Sequence, residues 1–281
     1  MSTSGKLYYN DQSRNGVLSG GSWNASFPLT NMQESRLSLV ARSTDLTFTS
    51  TKFTITFTAN ITTEAIFLIG TNLDVNAEWR VTAFTASPGS PDNPVSVYDS
   101  SVRSFWPSGV SSPDQRVIRD PDHKGMPLFA LLGQTVTASI WQVELFNTTN
   151  AVAYIEIARL FMGTRLSTTR NFATGASFTR DPNTQTEKAL GGALFFNRHK
   201  NIRSWNFLYP HEDYATAWDE IDTMSELCGI NDPLFVVPFP DDVDRMQKHS
   251  FLCTISQMNA LEMMAAGETR VSTGFSLREI I

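Results

Sequence analysis

Apolar and polar residues alternate along several stretches of the first half of the chain. Phe53, Ile55 and Phe57 are each followed by a threonine, and apolar residues occupy every second position of segment 79–83. This period of two predicts strands with one buried and one exposed face. Segment 65–69 is apolar throughout, which predicts an inner strand covered on both faces.

The segments between these predicted strands are rich in Gly, Pro, Ser and Asp. They lie at 87–94, 107–114 and 120–125, and we interpret them as loops. Many short strands separated by turn-forming residues, without an intervening helix, are typical of a sandwich or jelly roll. We therefore predict a mainly β fold in which a β-sandwich domain occupies residues 17–166.

The pattern changes after Gly163. Residues 164–185 are polar and irregular, which predicts a linker or an extended arm. Further along, apolar runs predict strands at 193–196, 202–208, 234–237, 249–255 and 275–280. We assign residues 167–281 to a second, small β-rich α+β domain.

One helix is predicted in this second domain, over residues 212–228. Its apolar stripe at helical spacing consists of Tyr214, Trp218, Ile221 and Cys228. Acidic residues crowd the first turn, where they complement the helix dipole, and Gly229 follows the last turn. The stripe, including Trp218, is therefore expected to pack in the core.

Residues 1–16 form a polar arm that contains one apolar triplet, Leu7-Tyr8-Tyr9. A triplet of this size cannot form a core of its own, and a terminal segment is ordered only where something holds it. We predict that the arm adds as a strand to the C-terminal domain, either of its own copy or of a neighbouring one. The alternative is a frayed tail.

Composition excludes several classes of partner. The net charge of −6 and the absence of any basic run argue against nucleic-acid binding. No stretch approaches the ~20 apolar residues of a membrane helix. Residues 1–10 lack an apolar core, so we expect no signal peptide. Cys228 and Cys253 are expected to be reduced, buried thiols.

No catalytic motif occurs in the sequence, and we predict neither an enzyme nor a cofactor. The histidines His123, His199, His211 and His249 have no metal-binding spacing among themselves or with a cysteine. The acidic run 241–244 lacks the glycine and the distal glutamate of a calcium loop, so we interpret it as a turn. No metal site is predicted.

One cluster stands out as a candidate binding site. It combines aromatic and charged residues close to a loop: Tyr98, Asp99, Arg103, Phe105 and Trp106. An exposed loop tryptophan beside arginine and tyrosine can form a platform for a sugar or an anchor in a protein interface. Local packing is the alternative explanation.

Three stretches of the first domain resemble galactose-binding-like (discoidin-type) β-sandwiches carried by tailed-phage proteins. They are Pro28-Leu29-Thr30-Asn31-Met32-Gln33 with 40–43, Thr71-Asn72-Leu73 with 77–81, and 154–163. The stretches 203–207 and 275–279 are similar to the ring-forming domain of distal tail proteins. The two domains stand in the reverse of the usual order of that family.

The resemblance implies a structural protein of a siphophage tail tip or baseplate, made in the bacterial cytoplasm and resident in the virion. It implies a homo-oligomeric ring, a hexamer in the family, in contact with tube, hub and fibre proteins. The alternative is a carbohydrate-binding protein for host attachment that recognises a surface glycan. A third hypothesis, hydrolysis of cell-wall sugar, would require two carboxyl groups about 5–10 Å apart.

Overall fold

The computed structural model describes residues 5–87, 90–105, 126–168, 170–173, 175–242, 246, 248–263 and 270–280. The fold is mainly β: 52% of these described residues lie in strands and 13% in helices, and the sheets are antiparallel. The predicted fold class is confirmed in this respect. The described residues form two compact units: 5–9 with 166–280, here the terminal unit, and 10–165, the inserted unit.

The predicted domains meet between residues 166 and 167, and the two units divide between Arg165 and Leu166. The predicted arm, residues 1–16, is shared between them. Asp11 explains why its second half belongs to the inserted unit: one carboxylate oxygen accepts hydrogen bonds from the backbone N–H groups of Ser13 and Met162. The other oxygen accepts a 3.0 Å bond from Arg159, in an ion pair that is almost fully buried.

Over the described residues, the inserted unit contains ten strands and three short helical segments. The first strand of the chain, β1 (Lys6–Tyr9), belongs to the terminal unit, and the strands of the inserted unit are β2 (Val17–Ser19), β3 (Ala41–Arg42), β4 (Phe53–Thr71), β5 (Glu78–Ser87), β6 (Ser90–Asp99), β7 (Arg103–Ser104), β8 (Met126–Phe146), β9 (Glu156–Ile157), β10 (Arg159–Phe161) and β11 (Thr164–Arg165). The helical segments are the 3₁₀ turns Gln12–Asn15 and Leu29–Gln33 and the helix α1 (Phe48–Thr51).

Its main sheet has the strand order β10-β4-β8-β5-β6, with β2 also paired to β4 and β7 to β5. The alternation predicted for strand 53–57 is confirmed, because Phe53, Ile55 and Phe57 are buried. The continuous apolar run is buried throughout Ala65–Leu68, as an inner strand requires. Both segments belong to one long strand, β4, whose register on β8 shifts between Thr56 and Ile61.

The prediction of a loop at 87–94 is wrong at the described positions, 87 and 90–94, which lie in strands. Strand β6 begins at Ser90 and pairs with β5, so the two strands form a long hairpin. Pro91 and Pro94 lie in β6, which is the last strand of the sheet path. An edge strand tolerates proline because one of its sides needs no ladder hydrogen bonds. The other two predicted loops, 107–114 and 120–125, lie outside the described residues.

The terminal unit begins with β1 (Lys6–Tyr9) and continues after residue 166. Its further strands are β12 (Ser177–Asp181), β13 (Gln185–Lys188), β14 (Leu194–Asn197), β15 (Ile202–Asp213), β16 (Leu234–Val237), β17 (Phe251–Met258), β18 (Glu262–Met263) and β19 (Arg270–Glu279). Within this unit, the order of hydrogen-bonded strands is β1-β16-β17-β19-β15-β12, with β18 paired to β19. The predicted strands coincide with β14 to β17 and with β19. Strand β12 lies within residues 164–185, so the prediction of a linker is wrong at that position.

The arm docks as predicted, on the C-terminal sheet of its own chain. Lys6, Leu7 and Tyr8 pair antiparallel with Val237, Val236 and Phe235. The apolar triplet is buried, with exposed fractions of 2% for Leu7, 0% for Tyr8 and 6% for Tyr9. A strand from the beginning of the chain thus completes a sheet that is otherwise built from its second half.

The helical segment is continuous over residues 214–228 and packs on this sheet. It consists of α2 (Tyr214–Thr216), a π-helical turn (Ala217–Asp222) and α3 (Thr223–Cys228). The predicted start at Glu212 is wrong, because β15 continues through Asp213 and Glu212 pairs with Val271. The buried positions are Ala217, Ile221, Met224 and Cys228.

The predicted stripe is therefore half correct. Ile221 and Cys228 join the core, whereas Tyr214 and Trp218 are 47% and 41% exposed. The core beneath the helix also contains Tyr9 of the arm. Burial raises the pKa of the Tyr9 hydroxyl, with further contributions from Glu220 and Cys228.

Candidate functional site

The predicted cluster at 98–106 lies at the β5–β6 edge of the inserted unit. Tyr98 is buried, and its hydroxyl donates a 2.9 Å hydrogen bond to the carbonyl of Leu132. Burial raises the pKa of this hydroxyl. Phe105 is also buried. Neither ring presents an open face, so these two side chains serve local packing.

The two charged members of the cluster are engaged within the sheet. Asp99 accepts hydrogen bonds from Nε and Nη2 of Arg80 at 2.9 and 2.5 Å, which lowers the pKa of its carboxyl group. Arg103 donates to the carbonyl of Ser100, and its guanidinium lies 5.6 Å from the centre of the Trp79 ring. Trp106 lies outside the described residues. Ligand binding by this cluster stays a prediction.

A second aromatic cluster of the inserted unit was missed by the sequence analysis. The guanidinium of Arg42 is stacked between Phe27 and Tyr154, at 4.2 and 4.3 Å from the ring centres. Glu156 accepts a 2.9 Å hydrogen bond from Nε of Arg42 and forms a salt bridge with it. The strand pair β3–β9 positions Arg42 and Glu156 as direct neighbours across the two strands.

This stack is half-buried, so parts of both rings and of the ion pair face solvent. Asn72 holds the strand behind it, because its side chain donates to the carbonyl of Tyr154 and accepts from the backbone N–H of Glu156. Arg42 and Tyr154 are 112 residues apart, and no local sequence pattern connects them. The arrangement offers aromatic surface beside hydrogen-bonding groups of both charges.

The most exposed apolar surface belongs to a hairpin of the terminal unit. Strands β13 and β14 pair only with each other among the described strands and form a two-stranded sheet. Leu194, Phe195 and Phe196 are 54%, 62% and 65% exposed, and Leu190 at the turn is fully exposed. We call residues 185–197 the apolar hairpin.

Both faces of the apolar hairpin carry an aromatic ring. Thr186 lies opposite Phe196, and Glu187 lies opposite Phe195. Directly opposite residues share a face and consecutive residues alternate, so the two phenylalanines point to opposite sides. An isolated two-stranded hairpin is marginally stable in water, and its rings gain from burial only when another surface covers them.

A second exposed surface lies on the helix of the same unit. Its solvent side carries Tyr214, Trp218, Asp219, Asp222 and Glu226, all of which are exposed. The rings of Tyr214 and Trp218 contact each other, with centres 6.0 Å apart. The helical segment 214–228 contains four acidic residues and no basic residue. We call the five exposed residues Tyr214, Trp218, Asp219, Asp222 and Glu226 the outer helix face.

Over the part of the chain that the structure describes, no group of three or more His, Cys, Asp and Glu side chains could hold a metal ion. The acidic run 241–244 is described only at Asp241 and Asp242. Within the same residues, no helix is long and apolar enough to cross a membrane.

Comparison with known proteins finds no matching family model and no matching curated protein. Solved structures do match. The family 32 carbohydrate-binding module of C. perfringens NanJ, solved with galactose, matches 56% of this chain and 98% of its own at 9% identity and a TM-score of 0.37. Chitosan-binding module 1 of a Paenibacillus sp. IK-5 chitosanase/glucanase matches 55% and 98% at 12% identity and 0.35. SpGH29 matches over 55% of this chain and 28% of its own, at 11% identity and a TM-score of 0.36. The match therefore spans about a quarter of that protein.

Proposed function

We propose that this chain is a structural protein that assembles with copies of itself, as a component of a phage tail tip or baseplate. The observation that carries the proposal is the apolar hairpin, which exposes Leu190, Leu194, Phe195 and Phe196 to solvent. Burial of a single such side chain contributes roughly 1.5–3 kcal/mol. A contact that covers several of them is therefore strong enough to hold an oligomer together.

The tail-tip assignment is supported by the resemblance of segments 203–207 and 275–279 to ring-forming domains of distal tail proteins. The docked arm fits the same assignment, because it completes the sheet from which the apolar hairpin extends between β12 and β15. A rigid sheet that presents a hairpin is a suitable building block for a closed assembly. The protein would act by presenting surfaces that are complementary to those of its partners, and it would make or break no covalent bonds.

Electron microscopy of the purified chain tests this proposal. We expect closed rings with a fixed number of copies, and we expect the rings to bind purified tube or hub proteins of a siphophage tail. Images that show only single particles of the size of one 31.3 kDa chain would overturn it.

A second candidate function, carbohydrate binding, is favoured by the stack of Phe27, Arg42 and Tyr154. Sugar sites combine an aromatic face with a few oriented polar groups, and this stack has both at a half-buried position. Titration calorimetry with galactose and with chitosan fragments tests it. Binding that is lost in Arg42→Ala and kept in Arg80→Ala would support this candidate, and the absence of heat with every sugar would refute it.

A further inference from the structure

We propose that the outer helix face of one copy receives the apolar hairpin of the next copy. This inference rests on the proposed self-assembly and adds the identity of the two surfaces that meet. It follows from the composition of the surfaces, from their exposure within one chain and from the geometry of a contact between two different surfaces of one protein.

The outer helix face and the segment that contains the apolar hairpin, residues 185–200, are complementary in charge. The hairpin and the residues that follow it, 185–200, contain the basic residues Lys188, Arg198 and Lys200 against the single acidic residue Glu187. The outer helix face carries three carboxylates and no basic group. Opposite charges around an apolar contact raise the association rate and fix the register of the partners.

The two surfaces are also complementary in their apolar groups. Tyr214 and Trp218 form a pair of exposed rings on the helix. Phe195 or Phe196 of the hairpin offers a matching ring, and aromatic pairs attract each other beyond the effect of the area that they bury. Arg198 can lie against the indole of Trp218, since cations favour the face of a tryptophan ring. Both surfaces thus have an aromatic centre with a charged margin, which is the usual layout of a protein interface.

The contact has to be made between copies. In a single chain the hairpin triplet stays more than half exposed, and both rings of the outer helix face are also exposed. Within one chain, therefore, neither of these two surfaces covers the other. Two different surfaces of one protein that bind each other give a head-to-tail contact, which closes into a ring when the rotation per copy allows it.

Charge reversal on each surface provides the test. The hairpin variant is Lys188→Glu with Arg198→Glu, and the helix variant is Asp219→Lys with Glu226→Lys. Each variant alone should bring like charges together and weaken association at least tenfold in sedimentation velocity. An equimolar mixture of the two variants should regain wild-type association, because every contact then joins opposite charges. The chain that carries all four substitutions should regain it as well.

Matched controls separate this contact from general effects. Glu262→Lys reverses an exposed acid on β18, which is not part of the outer helix face, and should leave association unchanged. Trp218→Ala should weaken association without any change of charge. Because exposed charges are screened, with a Debye length of about 30 Å at 0.01 M salt and about 3 Å at 1 M, wild-type association should also weaken with salt. Circular dichroism confirms the fold of each variant.

Two outcomes would overturn the inference. In the first outcome, the helix variant associates like the wild type, whereas the Phe195→Ser, Phe196→Ser chain fails to associate. The chain would then still assemble with itself, but its hairpin would bind a surface other than the outer helix face. If the mixture of charge variants fails to associate, the two surfaces do not face each other. A wild-type chain that does not associate at all would instead refute the proposed function itself.

Discussion

Two short segments of this protein have nearly the same composition and opposite environments. Leu7-Tyr8-Tyr9 in β1 is almost completely buried, whereas Leu194-Phe195-Phe196 in β14 is more than half exposed. The first triplet pairs with β16 in a large sheet, whereas the second pairs, among the described strands, only with the polar strand β13. The difference shows that an apolar triplet becomes buried only when a sheet edge and a core are within its reach. By the same reasoning, we propose that the apolar hairpin binds a partner outside the chain.

The largest difference between the triplets is expected in stability. Leu7→Ala should lower the free energy of unfolding of the terminal unit by about 2–5 kcal/mol, because it leaves a cavity in the core. Leu194→Ala should change it by less than about 0.5 kcal/mol, because the side chain is exposed. Urea denaturation at low protein concentration measures both. Equal effects of the two substitutions would contradict the comparison.

The next difference concerns association. Phe195→Ser with Phe196→Ser should remove about 1.5–3 kcal/mol of burial at the interface, because the contact covers one of the two rings, and this weakens association by roughly 10- to 100-fold. Its control is Val95→Ser with Val97→Ser, which alters exposed apolar residues of β6 in the other long hairpin and should leave association intact. Size-exclusion chromatography with light scattering gives the molar mass of each variant. If only the control pair of substitutions weakened association, the interface would lie on the inserted unit instead.

The smallest effect is expected at alkaline pH, because the buried triplet contains the ionisable residue Tyr9 and the exposed triplet contains no ionisable side chain. Burial raises the pKa of Tyr9 above its ordinary value near 10, and likewise the pKa of Tyr209 and of Cys253 in the same unit. A raised pKa in the folded state gives stability that is present below the unfolded-state pKa and is lost as pH rises above it. The free energy of unfolding should therefore begin to fall above about pH 8.5 because of Cys253, and fall further above about pH 10 because of Tyr9 and Tyr209. Tyr9→Phe should reduce the slope, and an unchanged slope would place Tyr9 in solvent.

Much of the fold could be predicted from local patterns. Period-two alternation identified β4 and β5, and the isolated triplet identified the docked arm. The helix face was misjudged because large aromatic residues were preferred to the series Ala217, Ile221, Met224 and Cys228. That series has spacings of four, three and four, and it was visible in the sequence.

The surfaces proposed to function were harder to predict. A run such as Leu194-Phe195-Phe196 normally indicates an inner strand, and only the polar strand β13 across from it indicates exposure. The Arg42 stack joins residues from three distant segments, so it depends on the tertiary fold. Within the predicted cluster, Tyr98 and Phe105 turn inward, and alternation along an edge strand could not reveal this because β6 and its neighbours shift register there.

Self-assembly through the apolar hairpin is the central claim, and sedimentation velocity over a range of protein concentrations tests it most directly. The wild-type chain should sediment as a defined multiple of 31.3 kDa, and the Phe195→Ser, Phe196→Ser chain should sediment as a folded monomer at the same concentrations. A wild-type chain that sediments at 31.3 kDa throughout, or a double variant that assembles like the wild type, would contradict the account.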